Sequence, residues 1–223
     1  HHVFGCTVGF LFSLYLGAQT SFCDGIKYIV ENLKEYEITF SSFVPAIYEN
    51  IYRNIIRKLE KEGKLQETQK LMEKYKNHSM EEKKEVFKEI HDFFGGHIRL
   101  LLSGAAALDK NVEQAFRDWG INLCQGYGLT ETSPVIAVET NSNFRVGSVG
   151  KAVPHVEARL EDVNEEGIGE LVVKGPNIML GYFENEEATK EAIVDGWFHT
   201  GDLATIDEDG YIFICGRKKS VIV

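Results

Sequence analysis

The apolar positions of the chain repeat with two different periods, and the change from one to the other divides it. In GIKYIVENLKEY, Ile26, Ile29, Val30 and Leu33 recur at helical spacing behind Asp24, a residue suited to cap a first turn. ITFSSFVP then reads as a strand ending at Pro45. Pro45 suits a first helical turn, from which Ile47, Ile51, Ile55 and Leu59 line one face of a helix. Two helical stretches rich in Lys and Glu follow, about residues 64 to 76 and 80 to 94; Val86, Phe87, Ile90 and Phe94 form an apolar stripe on the second, which core packing accounts for. IRLLLSGA is a fully apolar strand, a helix runs from about Asp109 to Trp119, and INLCQGYG is a further strand. Apolar strands alternating with helices predict a parallel sheet covered on both faces.

Beyond Pro134 the period falls to two. VEARLED, GELVVKG and DGYIFICGR, separated by the turn signals NEEG and DEDG, read as antiparallel hairpins, with one helix around Glu186 to Ile193. The expected fold class is α/β: a mostly parallel sheet layered with helices over residues 1–134, with a helical insert at about 45–95, and then a smaller β-rich, barrel-like subdomain over 135–223. Residues 3–23, VFGCTVGFLFSLYLGAQTSFC, carry no charge over a length that can cross a bilayer. Gly17, Ala18 and Gln19 punctuate the run, which reads better as a buried helix followed by a short buried strand. No basic region with a cleavage site marks a signal peptide. The chain lacks an initiator methionine and stops on VIV, so it reads as a piece of a longer protein; His1 and His2 are either native or the stub of a tag.

Composition narrows the function classes. With 223 residues, 43% of them hydrophobic, the chain can bury a substantial core, and a net charge of -10 argues against a nucleic-acid surface. Cys6, Cys23, Cys124 and Cys215 stand far apart with no CxxC spacing, the pattern of reduced, mostly buried thiols in a cytoplasmic protein and not of a disulfide frame or zinc site. Residues 157–209 carry fifteen acids against three bases, and Arg217, Lys218 and Lys219 follow at once. Such a charge run is a solvated surface unless an anion binds nearby.

Candidate chemistry gathers at GYGLTETSP, residues 126–134, at the end of a strand, where ligands of open α/β sheets collect. Gly126 and Gly128 allow a ligand to come close, and Thr130, Glu131, Thr132 and Ser133 set hydroxyls around one anion. SGAAAL, residues 103–108, ends the neighbouring strand with small side chains, which makes either a flat slot or a close-packed turn. Tyr127 is then a stacking partner for a planar ring or an ordinary rim aromatic. Thr130 can donate to a phosphate oxygen and Glu131 can reach a divalent cation bound to it. In GWFHTGDL, Asp202 follows a Thr-Gly turn, placed either to accept from sugar hydroxyls or to cap the turn. In GRKK, residues 216–219, an arginine follows a glycine at a strand end; the alternative is a solvated basic hairpin.

GYGLTETSP, GWFHTGDL and GRKKSVIV, in this order and at this spacing, closely resemble three core motifs of the adenylate-forming superfamily, which includes acyl-CoA synthetases, luciferases and peptide-synthetase adenylation domains. SFVPAIYENIYRNIIRK, the charged helical insert, FFGGHIRLLLSGAAALD and GELVVKGPNIMLGYFENEEATKEAI are most similar to long-chain fatty acid CoA ligases, and the likeness runs through nearly all the chain. The resemblance implies a fragment of the large N-terminal domain of an acid-thiol ligase. Such an enzyme joins a fatty acid to AMP from ATP, with Mg2+, and then passes the acyl group to coenzyme A. It implies that Gly104, Ala105 and Ala106 line the adenine slot with Gly126 and Gly128 nearby, that Gln125 meets the adenine edge, and that Tyr127 stacks on the ring. Thr130 would touch the α-phosphate, Glu131 would hold magnesium, Asp202 would take the ribose hydroxyls, Arg217 would bridge ribose and phosphate, and Ile214 would border the nucleotide. Lys219 falls at the hinge to a C-terminal domain, and His2 matches a histidine that gates the acyl site. The phosphate loop expected before residue 1 and the C-terminal domain expected after Val223 are not in the sequence, so the fragment alone is expected to be inactive. Ser220 departs from the acidic or amide residue common after the hinge lysine. The readings kept beside this one are an aryl- or medium-chain acyl-CoA ligase, a peptide-synthetase adenylation domain and a non-catalytic nucleotide-binding domain of the same fold. Cytoplasmic location is implied, no nucleic-acid partner is, and peripheral membrane contact of the parent protein stays open.

Overall fold

In the computed structural model, which describes residues 2–218, the chain divides into two units: Val8–Cys124, and His1–Thr7 together with Gln125–Val223. The chain opens with π-helical turns over Phe4–Leu11 and with α1 (Phe12–Tyr15). Gly17, at φ 69°, ends this helix: the Ala18 N–H reaches the Ser13 carbonyl and the Gly17 N–H that of Leu14. The buried strand expected next is not formed. No strand lies between residues 16 and 25, and Leu11, Phe12, Leu14, Tyr15, Leu16 and Phe22 are exposed. An apolar run becomes a strand only where a neighbouring backbone takes its hydrogen bonds, and among the described residues none does so here.

The first unit is built around a parallel pair. β1 (Phe40–Phe43) lies beside β2 (Leu100–Ser103), with Phe40 opposite Leu100 and Phe43 opposite Ser103. The chain between them forms α3 (Pro45–Lys61), α4 (Leu65–Tyr75), α5 (Met80–Val86) and α6 (Lys88–Phe93), while α2 (Ile29–Glu35) precedes β1 and α7 (Lys110–Asp118) follows β2. Pro45 begins α3, which buries Tyr48, Ile51, Ile55 and Leu59 on one face. Fully burying each such side chain is worth about 1.5–3 kcal/mol. The Tyr48 hydroxyl, also buried, donates to the Leu102 carbonyl at 2.8 Å and so ties α3 to β2. Tyr48, Phe94, Phe116 and Trp119 form the aromatic centre, with Tyr48 and Phe116 edge to face at 5.9 Å.

Three local expectations change here. Asp24 does not cap α2: its carboxylate accepts from Asn32 Nδ2 at 2.8 Å and its N–H donates to Asn32 Oδ1 at 2.9 Å, closing the preceding loop onto a buried asparagine. Ile26 is 79% exposed, because it starts a 3-10 turn (Ile26–Tyr28) ahead of the α-helical face. The single helix expected over 80–94 is broken at Phe87 (φ −100°, ψ 30°), where an i to i−3 bond from Ile90 replaces the regular ladder. Beyond the break, His91 is buried with Nε2 2.8 Å from the Trp119 carbonyl oxygen. Asp109 does cap α7, accepting from the N–H groups of Asn111 and Val112.

β3 (Leu123–Gly128) carries the chain into the second unit. β4 (Val135–Val138) is antiparallel to β3, and β5 (Lys151–Ala152) is antiparallel to β4. A second antiparallel sheet contains β6 (Glu157–Glu161), β7 (Gly169–Lys174), β9 (Trp197–Ile206) and β10 (Ile212–Arg217), in the order β10-β9-β7-β6. α8 (Glu186–Ala192) leads into β8 (Ile193–Val194), which pairs with β9. Ile136, Ala137, Leu171, Val173, Phe198, Ala204 and Ile212 form this unit's core. The fold class is α/β, with the helices and parallel pair first and the antiparallel sheet after them.

The Thr-Gly turn expected before Asp202 is part of β9. Gly201 takes φ 70° within the strand, and the pairing register shifts opposite it between Glu170 and Val172. A bulge needs the same permissive residue as a turn, so the dipeptide does not distinguish the two. Burial alternates along β9 and turns Phe198, Thr200, Asp202 and Ala204 inward. The thiols are also placed otherwise than expected: all four are free, but only Cys124 is buried, because Cys6, Cys23 and Cys215 lie on the exposed opening helix, the loop after it and the outer end of β10. Among the described residues no helix is long and apolar enough to cross a membrane.

Candidate functional site

The loop after β3 is held by one buried hydroxyl. Thr132 Oγ1 accepts the Leu129 N–H at 2.9 Å and lies 2.8 Å from the Pro134 carbonyl oxygen, fixing the 3-10 turn Thr130–Thr132. Pro134, which follows a cis peptide, folds back so closely that a Cβ on Gly128 would sit 1.6 Å from its carbonyl oxygen. Gly128 is therefore demanded by the protein's own backbone, ahead of any need for a ligand to approach. The turn leaves Thr130 exposed and Glu131 half-buried.

Asp202 is 4% exposed, and both of its oxygens are engaged. Oδ2 accepts from the Tyr127 hydroxyl on β3, and Oδ1 lies 2.7 Å from Arg217 Nε at the end of β10. A buried carboxylate is costly unless paired and hydrogen-bonded, and these two partners meet that requirement. Burial, and then the Asp202 hydrogen bond, push the Tyr127 phenol well above its ordinary range, so it stays a donor. β9, β3 and β10 thus bring Asp202, Tyr127 and Arg217 together, although the three are far apart in the chain.

Sequence reasoning missed the residues that support this group. Glu170 on β7 accepts the Gly201 N–H at 3.1 Å and pairs with Lys218 Nζ at 2.8 Å and with His199 Nδ1 at 3.4 Å. Burial alone would raise the Glu170 carboxyl, but the Lys218 and His199 contacts outweigh it and hold it below the usual range. Glu170 thereby pins the bulge that presents Asp202. Its only sequence signal was an acidic residue in the apolar run GELVVKG. Tyr182 was missed as well; its hydroxyl donates to Glu131 Oε1 at 2.9 Å.

The other candidates are placed as follows. Gln125 is buried, with Nε2 donating to the Ser148 carbonyl at 3.0 Å and its N–H to Glu139 Oε2 at 2.9 Å. Gly126 pairs with Val138 across the β3–β4 ladder, and Ile214 is half-buried against the second unit's core. His2 is exposed, and its Nδ1 accepts the Phe4 N–H at 3.2 Å. Gly104, Ala105 and Ala106 belong to the first unit, just after β2; Gly104 is buried, and Ala105 and Ala106 are exposed, with Ala105 at φ 70°. Lys219 lies outside the described residues.

Whether the residues suit a magnesium ion can be judged from Glu131. One of its oxygens takes the Tyr182 hydroxyl, which leaves the other as a hard anionic donor. Among the described residues no three His, Cys, Asp or Glu side chains form a metal cluster. A single carboxylate fits magnesium, which keeps several waters and completes its shell with substrate phosphates.

The chain combines an α/β unit with an antiparallel sheet in which the buried Asp202 pairs with the exposed Arg217, and comparison with known proteins shows the class to which it belongs. Residues 1–183 match the family described as AMP-binding enzyme. The chain is 34% identical over 233 residues to long chain acyl-CoA synthetase 3 of Arabidopsis thaliana, covering 93% of this chain and 35% of that protein. It is 42% identical over 138 residues to the long-chain-fatty-acid--CoA ligase FadD15 of Mycobacterium bovis, covering 62% of this chain and 22% of that one. Among solved structures, ATP-bound MatB from Rhodopseudomonas palustris matches with a TM-score of 0.72 at 29% identity, covering 100% of this chain and 39% of that one. The chain belongs to the AMP-binding enzyme family. It spans well under half the length of each of these relatives.

Proposed function

We propose that the chain is part of an ATP-dependent long-chain fatty acid CoA ligase and supplies the nucleotide end of its acyl-adenylate site. The observation that carries this reading is the buried Asp202, held between Tyr127 and Arg217. A carboxylate fixed in this way is ready to accept hydrogen bonds from a vicinal diol, and the adjacent guanidinium suits a phosphate oxygen. The relatives named as long-chain acyl-CoA synthetase and ligase support the acyl substrate.

In the proposed reaction a fatty carboxylate oxygen attacks the α-phosphorus of ATP, the bond to the β-phosphate oxygen breaks, and pyrophosphate leaves. The thiolate of coenzyme A then attacks the acyl carbon and AMP departs with the electron pair. Asp202 holds the ribose, Arg217 spans ribose and α-phosphate, and Thr130 donates to that phosphate. Tyr127, Gln125 and Gly126 receive the base, with Ile214 at its border. His2 faces the acyl entrance, and Lys219 serves as the hinge to a C-terminal domain. Magnesium, held by Glu131, supplies charge neutralisation on the phosphates when bound. Phosphoryl transfer gains mainly from such positioning, so each group acts by holding and not by covalent chemistry.

The test is turnover by the full-length parent protein with palmitate, ATP, magnesium and coenzyme A. AMP and palmitoyl-CoA are expected in equal amounts, and Asp202→Ala is expected to lower kcat/KM by roughly 10- to 100-fold, the worth of a hydrogen bond to a charged group. A preference for aryl or medium-chain acids would reassign the substrate. AMP release indifferent to any carboxylic acid would overturn the proposal.

A further inference from the structure

We infer that Tyr182 is a positioning residue for the metal-bearing carboxylate, and that the segment Asn177–Tyr182 is the clamp that presents Glu131; this rests on the proposed reading of Glu131 as the magnesium residue. The clamp holds the Glu131 turn at several points. Asn177 Nδ2 lies 3.0 Å from the Thr132 carbonyl oxygen and 2.9 Å from that of Val135, while the Met179 N–H donates to the Glu131 carbonyl at 2.8 Å. The Tyr182 hydroxyl then donates to Glu131 Oε1 at 2.9 Å, so backbone and side chain of one glutamate are fixed by one segment.

Tyr182 is itself anchored from behind. Its N–H donates to Thr189 Oγ1 at 2.9 Å, and that hydroxyl donates to the Asn185 carbonyl at 2.8 Å at the start of α8. Gly181 takes φ 151°, and a Cβ there would meet Thr189 Cγ2 at 2.8 Å, so the close approach of the tyrosine to α8 requires glycine. The chain of contacts runs from α8 through Thr189 and Tyr182 to the Glu131 carboxylate. A donor on one carboxylate oxygen fixes the direction of the other, the role outer partners play for metal ligands.

The experiment is calorimetric titration of the full-length protein with α,β-methylene-ATP, once with magnesium and once with EDTA, for wild type, Tyr182→Phe, Thr189→Val and Glu131→Gln. In wild type magnesium is expected to tighten binding. Tyr182→Phe is expected to lose about tenfold of that gain, with unchanged affinity in EDTA and an unchanged melting temperature. Thr189→Val is expected to lose less, in the same direction, and Glu131→Gln to lose the gain altogether. Full magnesium enhancement in Tyr182→Phe beside its loss in Glu131→Gln would overturn the inference alone. Equal weakening of Tyr182→Phe with and without magnesium would also overturn it, by showing a role in nucleotide binding at large. Unchanged enhancement in Glu131→Gln would overturn the reading of Glu131 and the inference together.

Discussion

Asp202 and Gly128 show how much a single residue can hide. The sequence GWFHTGDL marked Asp202 as a turn residue or a sugar ligand, but its burial came from the inward phase of β9, and its partners from two other strands. The motif named the residue and could not name Tyr127 or Glu170 as its supports, because those contacts depend on sheet order. Gly128 was read as room for a ligand, whereas the backbone of Pro134 already occupies that room. Gly128→Ala is therefore expected to destabilise the protein by about 2–4 kcal/mol, the range for substitutions that force close backbone contacts apart. Urea unfolding would measure it, and an unchanged midpoint would mean that the Pro134 turn shifts freely.

At the scale of elements, periodicity was informative where burial is one-sided. The face of α3 and the antiparallel hairpin strands β6, β7 and β10 were legible because apolar residues recur with the period of each element. The break between α5 and α6 was not, since its residues are ordinary helix formers and the interruption comes with tertiary packing around Phe87 and His91. The missing strand after α1 failed for a related reason: an apolar run records affinity for a partner, not the presence of one. His91 supplies a test at this scale. Burial lowers its pKa from the ordinary 6.5, so below about that pH the unfolded chain takes up a proton that the folded chain refuses. Stability is expected to fall as pH drops through 6.5 towards the folded value, and to be unaffected by this residue above it. Melting temperatures across pH 5 to 8 would show the loss, and His91→Gln would reduce the slope; equal slopes would place the charge change elsewhere.

Over the whole chain, the net charge of -10 bears on the proposal of an anionic substrate. Cations must be supplied locally, and Arg217 and Lys218 at the end of β10 are already paired with Asp202 and Glu170. Nucleotide binding would then exchange part of the Arg217–Asp202 contact for ribose and phosphate. Three motifs in sequence order were enough to indicate the family. Titration of the full-length protein with a hydrolysis-resistant palmitoyl adenylate analogue tests the proposal that Asp202 marks the nucleotide end of an acyl-adenylate site. Saturable one-to-one binding is expected, weaker by at least about tenfold in Asp202→Ala and weaker again for an acetyl analogue. Binding of the palmitoyl analogue at wild-type strength by Asp202→Ala, or no binding by the wild-type protein, would contradict the account.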